Sequence, residues 1–372
     1  MLSNRIDLFT ILGFRVSVDL SWTVLAVLVT WSLATGYFPE AVEGIRPNAA
    51  WWLGAIGALG LFASIILHEL AHSVVARRFD IPIRGITLFI FGGVAEMERE
   101  PPSAKSEFYM AIAGPIMSYV LAALFYVVAG AVPGELGTAL FVYLAVINFI
   151  LATFNLVPAF PLDGGRVFRA AMWWKTGDFA RATRMGAALG RTFGMVLIAL
   201  GLFSLISGNA IGGMWQALLG FFIITASRSS EMQMVMKTGL EGVRVGQIML
   251  RDVVTIPSDT PLDEAVEAYF YTSHHSAYPV VRGARVLGTL RSEDIGRVAR
   301  EDRATTRAVD VVNPQGRVGQ VDPDMPVLDA IRLMQERGSG RLLVVGRDGA
   351  LVGLLTMRDI LDYLSVRQQL DA

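Results

Sequence analysis

Residues 51–75 read WWLGAIGALGLFASIILHELAHSVV, an apolar run that contains HELAH at 68–72. About 20 apolar residues suffice for a helix to cross the ~30 Å hydrocarbon core of a bilayer, so the run predicts a transmembrane helix. His68 and His72 are four residues apart and therefore lie on one face of that helix. At about 1.5 Å per residue from Trp51, His68 lies ~25 Å along the helix, inside the membrane but near its far side.

The composition of the whole chain agrees with a membrane protein. Hydrophobic residues make up 53% of the 372 residues and charged residues 17%, which is more apolar than an ordinary soluble domain. A net charge of −1 gives no strongly basic surface, so nucleic acid is not an expected partner. Because the chain has no cysteine, a metal would have to be bound by histidines and carboxylates.

Six apolar stretches are long enough to be candidate spans, near residues 20–37, 51–75, 108–131, 138–156, 192–206 and 213–227. The connections between them differ in basic residues. Arg46 is the one basic residue in the connections 38–50, 130–137 and 207–212, whereas the alternate connections are rich in arginine and lysine. By the positive-inside rule, the basic connections and both termini are expected to be cytoplasmic, and the HELAH motif is then close to the cytoplasm.

Two stretches of this half do not fit a plain span. Gly85–Met97 is apolar but short, and Gly92-Gly93 interrupts it. We interpret it as a hairpin or re-entrant loop, which is tolerated at membrane depth only against protein or a water-filled cavity. Pro158–Gly165 contains two prolines and two glycines, which end the fourth span on the cytoplasmic side.

The HELAH motif predicts a zinc site that lacks one ligand. H-E-x-x-H on a helix directs two imidazoles to one metal, with Glu69 beside the bound water, and a catalytic zinc requires a third protein ligand and an open position. His274 and His275 lie in the distant soluble half, so the third ligand must be a carboxylate. Asp163 follows the fourth span on the same side as His72, and Gly164-Gly165 would allow the backbone to approach the metal closely. The weaker rivals are Glu96, Glu98, Glu100 and Glu107.

After Arg228 the composition becomes that of a soluble α/β domain, and the sequence repeats itself. With a constant offset of 65 residues, Pro261, Ala265, Gly288, Asp294 and Ile295 recur as Pro326, Ala330, Gly353, Asp359 and Ile360. A constant offset at five positions indicates duplication. Each copy predicts a strand, a helix, two strands around a turn, and a second helix.

The two motifs of the apolar half together resemble the paired signature of site-2 proteases, the M50 family of intramembrane zinc metalloproteases. These motifs are His68-Glu69-x-x-His72 and Asn155-x-x-Pro158-x-x-Pro161-Leu162-Asp163-Gly164-Gly165. The resemblance covers about residues 10–227 and includes Ala113-Gly114-Pro115 at the start of the third span. One departure is Ser118, which stands where an asparagine is expected.

This resemblance implies a fold, a cofactor and a reaction. The fold is a polytopic α-helical membrane protein with about six transmembrane helices and a C-terminal soluble α/β module. The implied zinc ligands are His68, His72 and Asp163, the implied acid/base is Glu69, and Asn155 is implied to position the substrate or the oxyanion. The implied reaction is hydrolysis of peptide bonds within or near transmembrane segments of regulatory substrates, such as anti-sigma or pro-sigma factors.

The repeat resembles a tandem CBS pair over about residues 245–364. We place a transmembrane metalloprotease domain at 1–228, a linker at 229–244, a first CBS motif at 245–301 and a second at 302–372. In the second copy, GLLTMRD at 353–359 resembles a nucleotide-binding pattern, which implies that Thr356 and Asp359 contact ATP, ADP or AMP. The first copy has Arg291 where threonine is expected. CBS pairs also act as dimerisation modules, so a homodimer is the alternative expectation.

A CBS-regulated transporter or channel is the competing class, because CBS pairs also occur on membrane transport proteins. The intramembrane histidines and Glu69 would then form an ion path. The discriminating feature is Asp163, which completes a three-ligand metal site with an open position, without an evident continuous polar pathway. The protease interpretation predicts a transmembrane substrate and the lipid bilayer as partners.

Overall fold

The structure is a computed structural model that describes residues 5–89, 92–97, 100–273, 275–312 and 318–370. The chain divides into two compact units, Met1–Met234 and Val235–Ala372. Among the described residues, the first unit contains long apolar helices and one sheet, and the second contains two small sheets with short helices.

Within the described residues, six helices are long and apolar enough to cross a membrane, which confirms the six predicted spans. The chain is therefore a multi-pass membrane protein. These helices are α1 (Leu20–Ala41), α2 (Pro47–Arg77), α3 (Ala104–Ala131), α4 (Glu135–Asn155), α6 (Phe179–Ile206) and α7 (Ala210–Leu240). A shorter helix, α5 (Asp163–Thr176), lies between α4 and α6 in the chain. The helix α5 is not among the elements predicted from the sequence.

The helix starts follow from local sequence. The Asp19 side chain accepts a hydrogen bond from the Ser21 backbone N–H at 3.0 Å and caps α1, as a short carboxylate does at this position. Pro47 is the first residue of α2, where its missing N–H would have no helical partner. Ser103 caps α3 by accepting from the Ser106 N–H at 3.2 Å.

Glycines set the packing of α6 against α7. A Cβ atom at Gly201 would lie 2.6 Å from the Gly213 carbonyl oxygen, and one at Gly220 would lie 2.5 Å from the Gly194 carbonyl oxygen. The two backbones are thus in direct contact, which is the small-residue packing that membrane helices use where burial of apolar surface gives little driving force.

A four-stranded sheet accompanies the helices of the first unit. Its strands are β1 (Arg5–Ile11), β2 (Phe14–Asp19), β3 (Ile83–Phe89) and β4 (Gly92–Met97), in the order β1-β2-β3-β4. The β3 and β4 strands pair antiparallel, which confirms the predicted hairpin, and β3 pairs parallel with β2. The β1–β2 hairpin is not among the elements predicted from the sequence. Leu88 of β3 packs in the core with 1% exposure, and β4 forms one edge of the sheet.

The second unit has the same order of elements in both copies, which confirms the predicted duplication. The first copy is preceded by α8 (Val245–Ile248). It contains β5 (Ile256–Pro257), the helical segment α9, β6 (Ala277–Arg282), β7 (Arg285–Arg291) and α10 (Ser292–Gly296). The segment α9 consists of an α-helical part at Leu262–Ala265, a π turn at Val266–Phe270 and a last α-helical part at Tyr271–Ser273. The second contains β8 (Gly319–Val321), α12 (Val327–Arg337), β9 (Arg341–Val345), β10 (Leu351–Thr356) and α13 (Met357–Leu370), preceded by α11 (Ala308–Val311). Each copy builds one three-stranded sheet and one apolar core.

Candidate metal centre

Three side chains from two distant segments converge at one point. His68 Nε2 and His72 Nε2 lie 3.1 Å and 3.2 Å from Asp163 Oδ2, and the two nitrogens are 3.2 Å apart. Both histidines are buried, with 3% and 6% exposure. Within the described residues they form the one group of histidine and carboxylate side chains placed to hold a metal ion. The structure thus brings together the three residues that the sequence analysis selected.

The distances fit a zinc ion. Donor atoms ~2.0–2.1 Å from a tetrahedral zinc are about 3.3 Å from one another, close to the observed separations of 3.1–3.2 Å. Two imidazoles and one carboxylate are also a donor set typical of a catalytic zinc, which keeps its fourth position open.

Hydrogen bonds of the two Nδ1 atoms orient the imidazoles so that their Nε2 atoms face the metal position. His72 Nδ1 lies 2.6 Å from the Met110 carbonyl oxygen, which can only accept, so Nδ1 carries the proton and Nε2 offers its lone pair. His68 Nδ1 lies 2.9 Å from Ser118 Oγ, which can accept in the same way. Such contacts orient metal-ligating histidines. Ser118, noted above as a departure from the family pattern, therefore has a positioning role towards His68, and the Met110 carbonyl has one towards His72.

Gly114 makes room for this arrangement. A Cβ atom at this position would lie 2.2 Å from His72 Nε2 and 2.6 Å from His68 Nε2. Because a side chain here would overlap the nitrogens that face the metal position, α3 can pack against the two histidines only through glycine. This contact explains the glycine of Ala113-Gly114-Pro115.

Asp163 is positioned by the segment that precedes it. It is the first residue of α5. A Cβ atom at Gly164 would lie 2.2 Å from the Leu156 carbonyl oxygen, and one at Gly165 would lie 2.6 Å from the Ala159 carbonyl carbon. The glycine pair thus lets α5 pack on the backbone of the preceding segment. The closeness of this backbone to the metal stays a prediction.

The charge of Asp163 matches that of a ligand. Burial raises the pKa of its carboxyl group, and the neighbouring imidazoles of His72 and His68 lower the pKa by more. The net result is a pKa below the ordinary value of an aspartate, so the side chain is an anion with lone pairs available at neutral pH.

A buried ion pair joins α3 to α5. Arg169 Nε donates to Glu107 Oε1 at 2.8 Å, and Arg169 Nη2 contacts the same oxygen. Glu107, one of the rival carboxylates, is therefore held by an arginine outside the histidine cluster. Burial lowers the pKa of the nearby Arg166, an effect that Glu107 opposes. Of the other rivals, Glu98 lies outside the described residues, as does the side chain of Glu96.

Glu69 lies between the two histidines in the chain and faces the sheet. A Cβ atom at Gly93 of β4 would lie 2.6 Å from Glu69 Cγ, so the edge strand passes directly over this carboxylate side chain. Arg166 Nη2 lies 3.5 Å from Met97 Sδ and links the far end of β4 to α5. Glu69 is not a member of the cluster of three donor atoms, which leaves its carboxylate available for proton transfer.

Comparison with known proteins assigns the family. The model of peptidase family M50 matches residues 56–137 and 135–201, and the CBS domain model matches residues 245–301 and 310–366. Rip3 of Mycobacterium tuberculosis, which its name classes among the zinc metalloproteases, is 37% identical to this chain over 98% of the chain and 93% of that protein. The chain belongs to the M50 family of zinc metalloproteases.

Two further proteins are similar to this chain over more than half of its length. A protein of Synechocystis sp., also classed by its name among the zinc metalloproteases, is 32% identical over 98% of this chain and 96% of its own length. A site-2 protease structure from Methanocaldococcus jannaschii is 28% identical, with a TM-score of 0.44, and the match covers 61% of this chain and 95% of that one. The family models and these relatives in sequence together show an M50 metalloprotease with a tandem CBS pair.

Asn155 stands apart from the donor cluster of the M50 site. It is the last residue of α4 and is partly exposed. Among the hydrogen bonds of the described residues, none joins its side chain to His68, His72 or Asp163, and its role towards a substrate stays a prediction.

The selected CBS residues bond to each other. Thr356 donates from its hydroxyl to Asp359 Oδ2 at 2.6 Å and from its backbone N–H to the same oxygen at 2.8 Å. The pair therefore caps the start of α13. In the first copy Asp294 lies 3.7 Å from Arg297. His275 packs near Tyr278, and His274 lies outside the described residues.

Proposed function

We propose that this M50 protease cleaves peptide bonds within or near transmembrane segments of membrane-bound substrates, using a zinc ion bound by His68, His72 and Asp163. The observation that supports the proposal is the convergence of the two Nε2 atoms and Oδ2 within 3.2 Å of one another, on elements of a bundle with six membrane-length helices. A zinc ion bound there supplies Lewis acidity, which polarises a carbonyl and lowers the pKa of bound water towards 7.

The remaining steps belong to side chains of this chain. The Glu69 carboxylate accepts a proton from the attacking water as the water oxygen bonds to the scissile carbonyl carbon. Glu69 then gives that proton to the leaving nitrogen as the C–N bond breaks. The Asn155 amide, at the end of α4, donates to the substrate carbonyl oxygen and stabilises the negative charge that develops on it.

A helical substrate has to unwind before it can be cut, because its carbonyl groups are bonded within the helix and its backbone needs new partners in a membrane. The edge strand β4 offers such partners by strand addition. Its Gly93 lies against Glu69, so a peptide paired with β4 would run beside the acid/base.

Crosslinking tests strand addition. Leu88 is buried in the core and Ile90 lies outside the described residues, so the informative cysteine is at Val94 of β4. A cysteine at Ile6, 55% exposed on the opposite edge strand β1, is the matched control. We expect a substrate with a cysteine near its cut site to crosslink to Val94→Cys and not to Ile6→Cys. Equal crosslinking to both, or to neither, would contradict the proposal.

The protease assignment itself is tested by zinc content and cleavage measured on the same samples. Purified protein in liposomes is incubated with a single-span substrate, before and after treatment with a chelator. We expect cleavage to stop when zinc is removed and to return when zinc is added, because the donor set has no other cation to polarise the carbonyl. Cleavage that continues without zinc would exclude a metalloprotease mechanism.

The proposed substrates are regulatory membrane proteins such as anti-sigma or pro-sigma factors. We place both termini and the CBS pair in the cytoplasm, because the connection after α2 and the α5 region are rich in arginine and lysine, whereas residues 132–134 between α3 and α4 contain none. This difference follows the positive-inside rule. We expect a cysteine that replaces Pro133 to be labelled by a membrane-impermeant reagent from outside intact cells, and a cysteine that replaces Lys175 not to be labelled.

The second CBS copy is proposed to bind ATP, ADP or AMP through Thr356 and Asp359, and the pair is proposed to form a homodimer. A ligand alters activity only if it binds two states of the protein with different affinity. We expect a nucleotide to change the cleavage rate, and Thr356→Ala with Asp359→Ala to remove both nucleotide binding and this response. Asp294→Ala in the first copy is the matched control, because Arg291 replaces threonine there. A flat titration with no binding would leave the pair as a dimerisation module.

A further inference from the structure

A groove of about 430 Å³ opens between α2 and α3. Its lining is apolar except near one end, where Arg78 and Tyr109 contribute polar groups. Ile116 and Val120 line the rest and are more than half exposed. Both helices are of membrane length, so this exposed apolar surface faces lipid rather than water.

The length and polarity of the groove match one leaflet of a bilayer. Tyr109 and Val120 are eleven residues apart on α3, about 16 Å at 1.5 Å per residue, and half of the hydrocarbon core is about 15 Å. Arg78 follows the last residue of α2, and the Phe79 and Tyr109 rings stack with centroids 6.4 Å apart. A basic residue and aromatic rings at a helix end are typical of the headgroup level.

We propose that this groove binds a phospholipid of the surrounding leaflet, with one acyl chain along α3 and the phosphate at Arg78 and the Tyr109 hydroxyl. A guanidinium binds phosphate through two parallel N–H groups. No carboxylate among the described residues pairs with Arg78, so its charge is available to an anion. A substrate helix, about 10–12 Å across, would not fit a groove of this volume and would bring no phosphate to Arg78.

The bound chain would contact the turn of α3 that shapes the metal centre. Ala113 lines the groove, and the next residue, Gly114, lies against the His68 and His72 imidazoles. A chain in the groove therefore contacts the same turn of α3 that packs against the histidines. Retention of lipid in the groove does not depend on the proposed function.

The experiment measures retained lipid on the purified full chain after incorporation into nanodiscs of phosphatidylglycerol and phosphatidylcholine and transfer to detergent. Mass spectrometry counts the phospholipids that remain bound. We expect Arg78→Ala to lower retained phosphatidylglycerol by about fivefold, the usual contribution of one basic residue at an anionic surface. Ile116→Trp, which fills the groove, is expected to remove retention of both lipids.

Two variants control for charge and for bulk. Arg184→Ala removes an exposed arginine of α6, and Val127→Trp adds the same ring at a position of α3 that is 69% exposed and outside the groove. Both are expected to retain lipid as the wild type does, and equal zinc content in all variants checks folding. Unchanged retention in Arg78→Ala and Ile116→Trp would overturn the proposal. If Ile116→Trp blocks crosslinking of a substrate but leaves lipid bound, the groove is a substrate site instead.

Discussion

Replacing Glu69 by glutamine is expected to reduce cleavage of a single-span substrate by about 10²- to 10⁴-fold, the usual contribution of a general base, with zinc content unchanged. Glutamine has nearly the shape of glutamate, so the contact with Gly93 is kept. The amide cannot accept the proton of the attacking water. Zinc is retained because Glu69 is not one of the three converging ligands.

The measurement combines metal analysis with product formation on the same preparation. Glu135→Gln, an exposed carboxylate at the start of α4, removes the same charge away from the site and is expected to leave cleavage unchanged. A Glu69→Gln protein that still cleaves at the wild-type rate would exclude Glu69 as the acid/base. Loss of zinc together with activity would instead show that Glu69 helps to hold the metal.

Replacing Asp163 by asparagine is expected to weaken zinc binding by at least about 100-fold, beyond the 10- to 100-fold typical of residues that only orient a ligand. The amide oxygen is a poorer metal ligand than a carboxylate oxygen. The substitution also replaces the one negatively charged ligand of the cluster by a neutral group. Activity is expected to fall together with zinc occupancy and to recover partly at high zinc concentration.

Zinc titration of the variant, followed by both metal content and cleavage, checks this prediction. Glu98→Gln and Glu100→Gln are the matched controls, since each removes a carboxylate that the sequence alone leaves as a rival. If Asp163→Asn binds zinc like the wild type while Glu98→Gln loses it, the third ligand has been wrongly assigned. Loss of zinc in Asp163→Asn alone supports the donor set that the structure shows.

The spans and the first two candidate ligands could be predicted from sequence because their signals are local. An apolar run specifies a membrane helix through its length, and His68 and His72 share a helix face through their spacing. Asp163 could be proposed only from the family resemblance and the sidedness of the spans, because 91 residues separate it from His72. The duplication was visible because a constant offset survives divergence.

The features that escaped prediction depend on contacts between distant segments. The β1–β2 hairpin joins β3, so that Val16 pairs with Ile86, and no local pattern specifies such pairing. The hydrogen bond between His68 and Ser118 and the role of Gly114 exist only after α3 has packed against α2. The hydrogen bond between Thr356 and Asp359 is different, because the two residues are three apart and match a local helix-capping pattern; the family resemblance led instead to a predicted ligand contact.

Gly114 gives a criterion for sorting relatives of this protein by catalytic competence. A single methyl group at this position would lie 2.2 Å from His72 Nε2, in the space between the imidazoles where a metal would sit. A homologue can therefore keep both histidines, the glutamate and the aspartate and still be unable to bind metal. Chains with any other residue aligned at this position are expected to be pseudoenzymes, although a search for the HELAH and aspartate motifs alone would count them as proteases.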